Sequence, residues 1–127
     1  MADQPLIHVV DDDASMRRAL ERLLRSANFR VEVFSSAHEF LGRRRPGGGC
    51  LLLDLRMPGM TGLELQQRLV STDPGLPVIL ITAHATERSR QQALAAGASG
   101  VLNKPFEDRE LLEAVERAIG GARPAGS

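Results

Sequence analysis

The sequence contains no tryptophan and no tyrosine, and it has one cysteine, Cys50. A single thiol excludes a disulfide framework within the chain. Because Cys50 opens the apolar run CLLLD, we expect it to be an unreactive thiol in the protein core. The absence of indole means that intrinsic tryptophan fluorescence cannot report ligand binding.

An excess of charge of either sign is also missing, since sixteen Lys and Arg residues balance sixteen Asp and Glu residues. This balance argues against direct nucleic-acid binding. No apolar run approaches the roughly 20 residues that a membrane-spanning helix needs. The opening stretch MADQPLIHVV lacks the basic and apolar regions of a signal peptide. We therefore expect a cytoplasmic domain that makes no membrane contact.

The length of 127 residues fits one domain. We predict that this domain covers residues 1–120, and that residues 121–127, which are rich in Gly, Ala and Pro, form a flexible tail or linker.

Short apolar runs alternate with segments of helical periodicity. The runs predicted as strands are LIHVVD (Leu6–Asp11), RVEVF (Arg30–Phe34), CLLLD (Cys50–Asp54), PVILIT (Pro77–Thr82) and GVLN (Gly100–Asn103). Each is followed by a predicted helix, and the fourth helix has only a thin apolar stripe. Five βα units of this length favour a doubly wound α/β fold with a parallel five-stranded sheet.

The predicted helices carry recognisable start and stop signals. Ser36 with Glu39, and Thr61 with Glu64, have the spacing of capping boxes. Gly97 suits the end of the fourth helix.

Polar side chains stand where the predicted strands end. Asp11 and Asp12 stand at the end of the first strand, and Asp54, Thr82 and Lys104 stand at the ends of the third, fourth and fifth. The carboxyl ends of parallel strands share one edge, which is also where ligands bind in such sheets. Clustered carboxylates repel one another and recruit a cation, and hard oxygen ligands beside a phosphate suit Mg²⁺. A lysine, a threonine hydroxyl and a metal could hold three phosphoryl oxygens, which leaves Asp54 placed as a nucleophile.

Four segments, VVDDD, LLLDLRMPGMTGLEL, ILITA and AGASGVLNKPF, together resemble the receiver (CheY-like) domain of two-component response regulators. The resemblance covers about residues 5–119 and is strongest to receivers of NarL/FixJ-class transcription regulators. It implies the strand order 2-1-3-4-5. It also implies a phosphoacceptor function, in which a sensor histidine kinase phosphorylates the domain and the domain then controls an output such as transcription.

The resemblance assigns a role to each site residue. Asp54 would accept the phosphoryl group, and Asp11 and Asp12 would hold Mg²⁺, with Asp12 and Asp54 as direct side-chain ligands. The backbone carbonyl of Arg56 would be a further metal ligand. The resemblance also implies roles for residues at the ends of the fourth and fifth strands.

By this resemblance, Thr82 and Lys104 would contact the phosphoryl group, and the bond before Pro105 would be cis. Asp13 matches no functional position and is interpreted as a helix-start residue. Val101 stands where many receivers carry an aromatic switch residue, so that switch is in doubt; His84 is either a substitute gate or a loop residue facing solvent.

Several alternatives stay open. A flavodoxin-like cofactor binder would share the fold, but three consecutive aspartates would repel its phosphate. A phosphatase of the haloacid-dehalogenase type would need a second Asp where Arg56 stands, so we do not expect an enzyme that turns over an external substrate. A stand-alone phosphorelay shuttle is an alternative to a transcription regulator. Homodimerisation through the fourth helix, fifth strand and fifth helix is expected on phosphorylation.

Overall fold

The computed structural model describes residues 5–44, 49–55, 57, 59–83 and 85–121. Strands and helices alternate through five βα units. The elements are β1 (Leu6–Val10), α1 (Ala14–Ser26), β2 (Arg30–Phe34), α2 (Ala37–Arg43), β3 (Cys50–Asp54), α3 (Gly62–Thr72), β4 (Val78–Thr82), α4 (Glu87–Ala95), β5 (Gly100–Asn103) and α5 (Asp108–Gly121). The predicted strands are confirmed, with Asp11 and Pro77 falling just outside the observed ones.

All neighbouring strands pair in parallel, and the sheet has the order β2-β1-β3-β4-β5. This confirms the predicted doubly wound (βα)5 fold and its strand order 2-1-3-4-5. Because the order reverses after β1, the loops that follow β1 and β3 border the crevice in which ligands of such sheets bind.

The sheet separates two apolar layers. In β3, Leu51 and Leu53 pack on the side of α2 and α3, whereas Cys50 and Leu52 pack on the side of α1 and α5. Both faces of the central strands are buried, which explains why these strands are continuous apolar runs rather than alternating ones.

Asp13 begins α1, as predicted. Its Oδ1 accepts hydrogen bonds from the backbone N–H groups of Ser15 (2.9 Å) and Met16 (3.4 Å). An N-cap of this kind satisfies amide donors that have no partner inside the helix. The Asp13 side chain therefore serves as the helix cap, which agrees with its having no predicted role in the site.

The two predicted capping boxes differ in outcome. Thr61 and Glu64 form a reciprocal box, and the hydrogen bond from the Thr61 backbone N–H lowers the pKa of Glu64. At α2, Ser36 accepts from the Glu39 N–H, but the Glu39 carboxylate accepts from the N–H (2.6 Å) and hydroxyl of Ser35. A reciprocal box would need the Glu39 carboxylate to accept from the Ser36 N–H, so the prediction is wrong by one residue. The turn of the chain brings the Ser35 N–H within reach of that carboxylate instead.

Helix α4 is held by few apolar contacts, as its thin stripe predicted. Ala93 is its one buried residue. A polar contact adds to this packing: Gln66 of α3 is buried, and its Nε2 donates to the Ala93 carbonyl at 3.3 Å. The chain leaves the helix through Gly97, whose φ of +106° confirms the predicted stop.

His8 is a buried polar residue within the otherwise apolar strand β1. Its ring packs edge-on against Phe40, with centroids 5.4 Å apart, and its Nδ1 lies 3.9 Å from a carboxylate oxygen of Glu32 on β2. The strand register places His8 beside Glu32, which the sequence of β1 alone could not reveal.

None of the helices in the described ranges combines the length and the apolarity that a membrane span needs. Apart from Gly121, the predicted tail of residues 121–127 lies outside the described residues, and the domain limits stay a prediction.

The burial of Cys50 predicts that its thiol is unreactive in the folded protein. The side chain is inaccessible to solvent, and burial raises the pKa of its thiol to about 12. At pH 8 only about one thiol in ten thousand would then be the reactive thiolate. We expect iodoacetamide to leave the folded protein unmodified at pH 8 while labelling it fully in urea, as measured by intact mass. Equal labelling rates in both conditions would contradict this.

Candidate functional site

The structure brings the predicted strand-end residues to one edge of the sheet. Asp54 and Thr82 are the last residues of β3 and β4, while Asp11 and Lys104 directly follow β1 and β5. Since these strands are neighbours and parallel, the four residues share the carboxyl edge.

Three carboxylates form an acidic cluster at this edge. Asp11, Asp12 and Asp54 each offer one oxygen, and these oxygens all lie within 4.8 Å of one another. Asp11 and Asp54 are buried, whereas Asp12 is exposed. The cluster thus has a buried floor and one carboxylate open to solvent.

Asp11 already uses both carboxylate oxygens on protein donors. Oδ1 accepts from the backbone N–H of Asp13 at 2.8 Å, and Oδ2 lies 3.5 Å from Nζ of Lys104. Both oxygens of the Asp11 carboxylate are therefore engaged by donors of the protein itself.

Lys104 reaches into the cluster from the end of β5. Its Nζ lies 4.0 Å from Oδ1 of Asp54, in addition to its contact with Asp11. The backbone N–H of Lys104 donates to the Thr82 carbonyl at 2.8 Å, which ties the two neighbouring strand ends together. The peptide bond between Lys104 and Pro105 is cis, as predicted.

The donor set fits Mg²⁺. Three carboxylates face one ammonium group in the described part of the site, so a net negative charge remains for a cation to neutralise. Oxygen ligands, an exposed side for bound water and the absence of sulfur in the cluster match the preference of Mg²⁺. Arg56, predicted to supply a backbone carbonyl, lies outside the described residues, as does His84.

Thr82 is buried at the end of β4, next to the loop that leads into α4. That loop is attached to β5 by a contact that the sequence did not suggest: the backbone N–H of Ala85 donates to Oδ1 of Asn103 at 3.1 Å. An amide side chain at the end of a strand, directly before the Lys-Pro pair, was the available signal. Asn103 therefore links the segment after Thr82 to the strand that carries Lys104.

Val101 is buried in the core layer that also contains Ala93 and Ala98. The position thus holds a small aliphatic side chain beneath α4 in place of an aromatic ring. Residue 101 therefore offers no aromatic ring that could change rotamer at this position.

Gly62 allows α3 to begin directly against the end of β3. A Cβ atom at this position would lie 2.5 Å from the carbonyl oxygen of Asp54 and 2.9 Å from Cα of Leu55. Both distances are too short for real contacts, and both neighbours are backbone atoms that cannot rotate away. A side chain at Gly62 would therefore displace the backbone that carries Asp54.

Comparison with known proteins assigns this arrangement to a family. The family model described as the response regulator receiver domain matches residues 7–116. Nodulation protein W of Bradyrhizobium diazoefficiens is 43% identical over 114 residues, which are 89% of this chain and 50% of that protein. Transcriptional regulatory protein FixJ of the same organism is 42% identical over 121 residues, 94% of this chain and 58% of FixJ.

Solved structures agree with this assignment. The low-resolution structure of the response regulator StyR matches with a TM-score of 0.86 and 47% identity, covering 94% of this chain and 61% of that one. The chain spans about half the length of the curated relatives it matches. The flavodoxin-like and phosphatase interpretations are not retained.

The close approach of Gly62 predicts a cost for adding one methyl group. We expect Gly62→Ala to lower the free energy of unfolding by about 1–3 kcal/mol through overpacking, although alanine is the better helix former. Gly42→Ala in α2, where a Cβ would meet nothing within 4 Å, is the matched control and should not destabilise the protein. Urea denaturation measures both, and an unchanged midpoint for Gly62→Ala would contradict the packing argument.

Proposed function

The chain belongs to the response regulator receiver domain family, and on this premise we propose that it takes a phosphoryl group from a sensor histidine kinase onto Asp54. The observation that supports the proposal best is the surroundings of Asp54. Its buried carboxylate lies 4.0 Å from the Lys104 ammonium and within 4.8 Å of oxygens of two further carboxylates. A carboxylate placed between a cation and a group of metal ligands suits a nucleophile.

In the proposed step, a carboxylate oxygen of Asp54 attacks the phosphorus atom of a phosphohistidine. The oxygen–phosphorus bond forms as the phosphorus–nitrogen bond breaks, and the electron pair stays on the imidazole, which takes up a proton. When bound by Asp12 and Asp54, Mg²⁺ would neutralise charge on the phosphoryl oxygens. Little else is required of the protein beyond position and charge, because phosphoryl transfer involves little other covalent chemistry.

Lys104 and Thr82 would hold the transferred group. The Lys104 ammonium already contacts Asp54 and can pair with a phosphoryl oxygen on that carboxylate. The hydroxyl of Thr82, at the neighbouring strand end, can donate to a second oxygen. A movement of Thr82 would then be passed to the loop that Asn103 holds at Ala85.

We propose that the output is control of transcription, since the relatives include a protein named as a transcriptional regulator. The phosphorylated domain would act through a partner or an attached domain rather than by binding DNA itself, because its formal charge is zero. A stand-alone phosphorelay shuttle is the alternative. Transfer of the phosphoryl group from Asp54 to a second histidine-containing protein would favour the shuttle.

The face formed by α4, β5 and α5 is the proposed switching surface and the site of homodimerisation. Helix α4 buries only Ala93, so a small change in free energy is enough to shift it. It also exposes Leu94, an apolar side chain available to a second copy.

Replacing the nucleophile tests the proposal directly. Asp54→Asn is nearly isosteric and removes one repelling charge, so the fold should survive while labelling by acetyl phosphate and Mg²⁺ falls to background. Intact mass of the treated protein measures the added phosphoryl group. Asp13→Asn is the matched control, because asparagine also caps helices, and it should be labelled like the wild type. Full labelling of the Asp54 variant would refute the assignment.

The switching surface is tested with beryllofluoride, a phosphoryl mimic. With Mg²⁺ present, we expect a change in amide hydrogen exchange in α4 and a shift in sedimentation toward a dimer. The Asp54→Asn variant should show neither change. If exchange in α4 and the sedimentation coefficient both stay constant in the wild type, the surface is not the switch.

A further inference from the structure

Arg17, in the first turns of α1, makes a contact that the proposed chemistry does not use. Its guanidinium Nη1 donates to the backbone carbonyl oxygen of Asp11 at 2.7 Å. The side chain is half-buried rather than extended into solvent. A short, charge-assisted hydrogen bond of this kind is among the stronger ones in proteins.

The carbonyl that Arg17 holds belongs to the peptide group joining Asp11 to Asp12. The rest of Asp11 is also fixed, since its N–H donates to the Phe34 carbonyl at 3.1 Å and its Oδ1 accepts from Asp13. Asp12 differs: it is exposed, and its side chain has no hydrogen bond to the described residues. The peptide group held by Arg17 therefore sets where the Asp12 side chain leaves the backbone, while the side chain itself can still rotate.

We propose that Arg17 is a positioning residue for the Mg²⁺ site, acting by fixing the peptide group from which Asp12 projects. This inference rests on the proposed function, in which Asp12 is a direct metal ligand. A fixed peptide group limits the positions that the Asp12 carboxylate can sample before the metal arrives, so less conformational entropy is lost on binding and the affinity is higher.

The positive charge of Arg17 has the opposite effect on Mg²⁺ affinity from its hydrogen bond to the Asp11 carbonyl. A guanidinium close to a cation site repels the cation, so removal of the charge alone would tighten Mg²⁺ binding. Removal of the tether, which is the hydrogen bond from Arg17 to the Asp11 carbonyl, would weaken Mg²⁺ binding. The sign of the change in affinity therefore separates the two effects.

The test compares Arg17→Met with Arg18→Met by Mg²⁺ titration, using calorimetry or NMR. Arg18 is the adjacent, exposed arginine on the same helix, so its replacement removes the same charge without removing the tether. We expect the dissociation constant for Mg²⁺ to rise on the order of tenfold in Arg17→Met and to stay within about twofold of wild type in Arg18→Met. The Mg²⁺ concentration that gives half the maximal rate of phosphorylation should rise in parallel, with the rate at saturating Mg²⁺ retained.

Thermal denaturation of both apo variants identifies a general loss of stability. If Arg17→Met is unfolded, Arg17→Lys keeps the charge with a shorter side chain and should show the weakened affinity in a folded protein. Unchanged or tighter binding by the folded Arg17 variant overturns the inference. Titration of Asp12→Ala tests the proposed site separately: its failure to lose affinity would refute Asp12 as a ligand, whatever Arg17 does.

Discussion

Charge repulsion at the carboxyl edge of the sheet is the constraint on which the site depends. Two unit charges 4 Å apart interact by about 4 kcal/mol at the effective dielectric constant of a protein surface, and three carboxylates share this space. Lys104 offsets part of the repulsion through Asp11 and Asp54, and the Asp13 N–H offsets another part. The remaining negative charge suits a divalent cation, and in the proposed function that cation would in turn offset the charge of the phosphoryl group.

The fold provides this edge, and much of the fold could be predicted from the sequence. The continuous apolar runs predicted the strands correctly, because the central strands are buried on both faces. The site followed from them, since residues at the ends of parallel strands must meet at one edge. Asp54 and Lys104 were predicted in this way, and the structure places them 4.0 Å apart between nearest charged atoms.

Contacts between side-chain ends were less predictable. The Glu39 carboxylate bonds Ser35 instead of Ser36, a difference of one residue that periodicity cannot resolve. The bond from Arg17 to the Asp11 carbonyl and the bond from Ala85 to Asn103 depend on how loops approach their neighbours in space. Such contacts leave no periodic signal, because each depends on the three-dimensional path of one short segment.

The two ends of α4 differ in how they are held, and this difference shapes any switch. At the C-terminal end, Gln66 bonds the Ala93 carbonyl, and the Ser99 N–H bonds the Val78 carbonyl at 2.7 Å. At the other end, the contacts are more exposed or longer: the Ala85 N–H bonds Asn103, and the Arg90 guanidinium lies 3.5 Å from the Val101 carbonyl oxygen. A displacement starting at Thr82 meets this weaker end first, so the helix would pivot about its C-terminal end. Val101 has no ring to rotate, so in the proposed switch the pivot would be driven through the loop that follows Thr82.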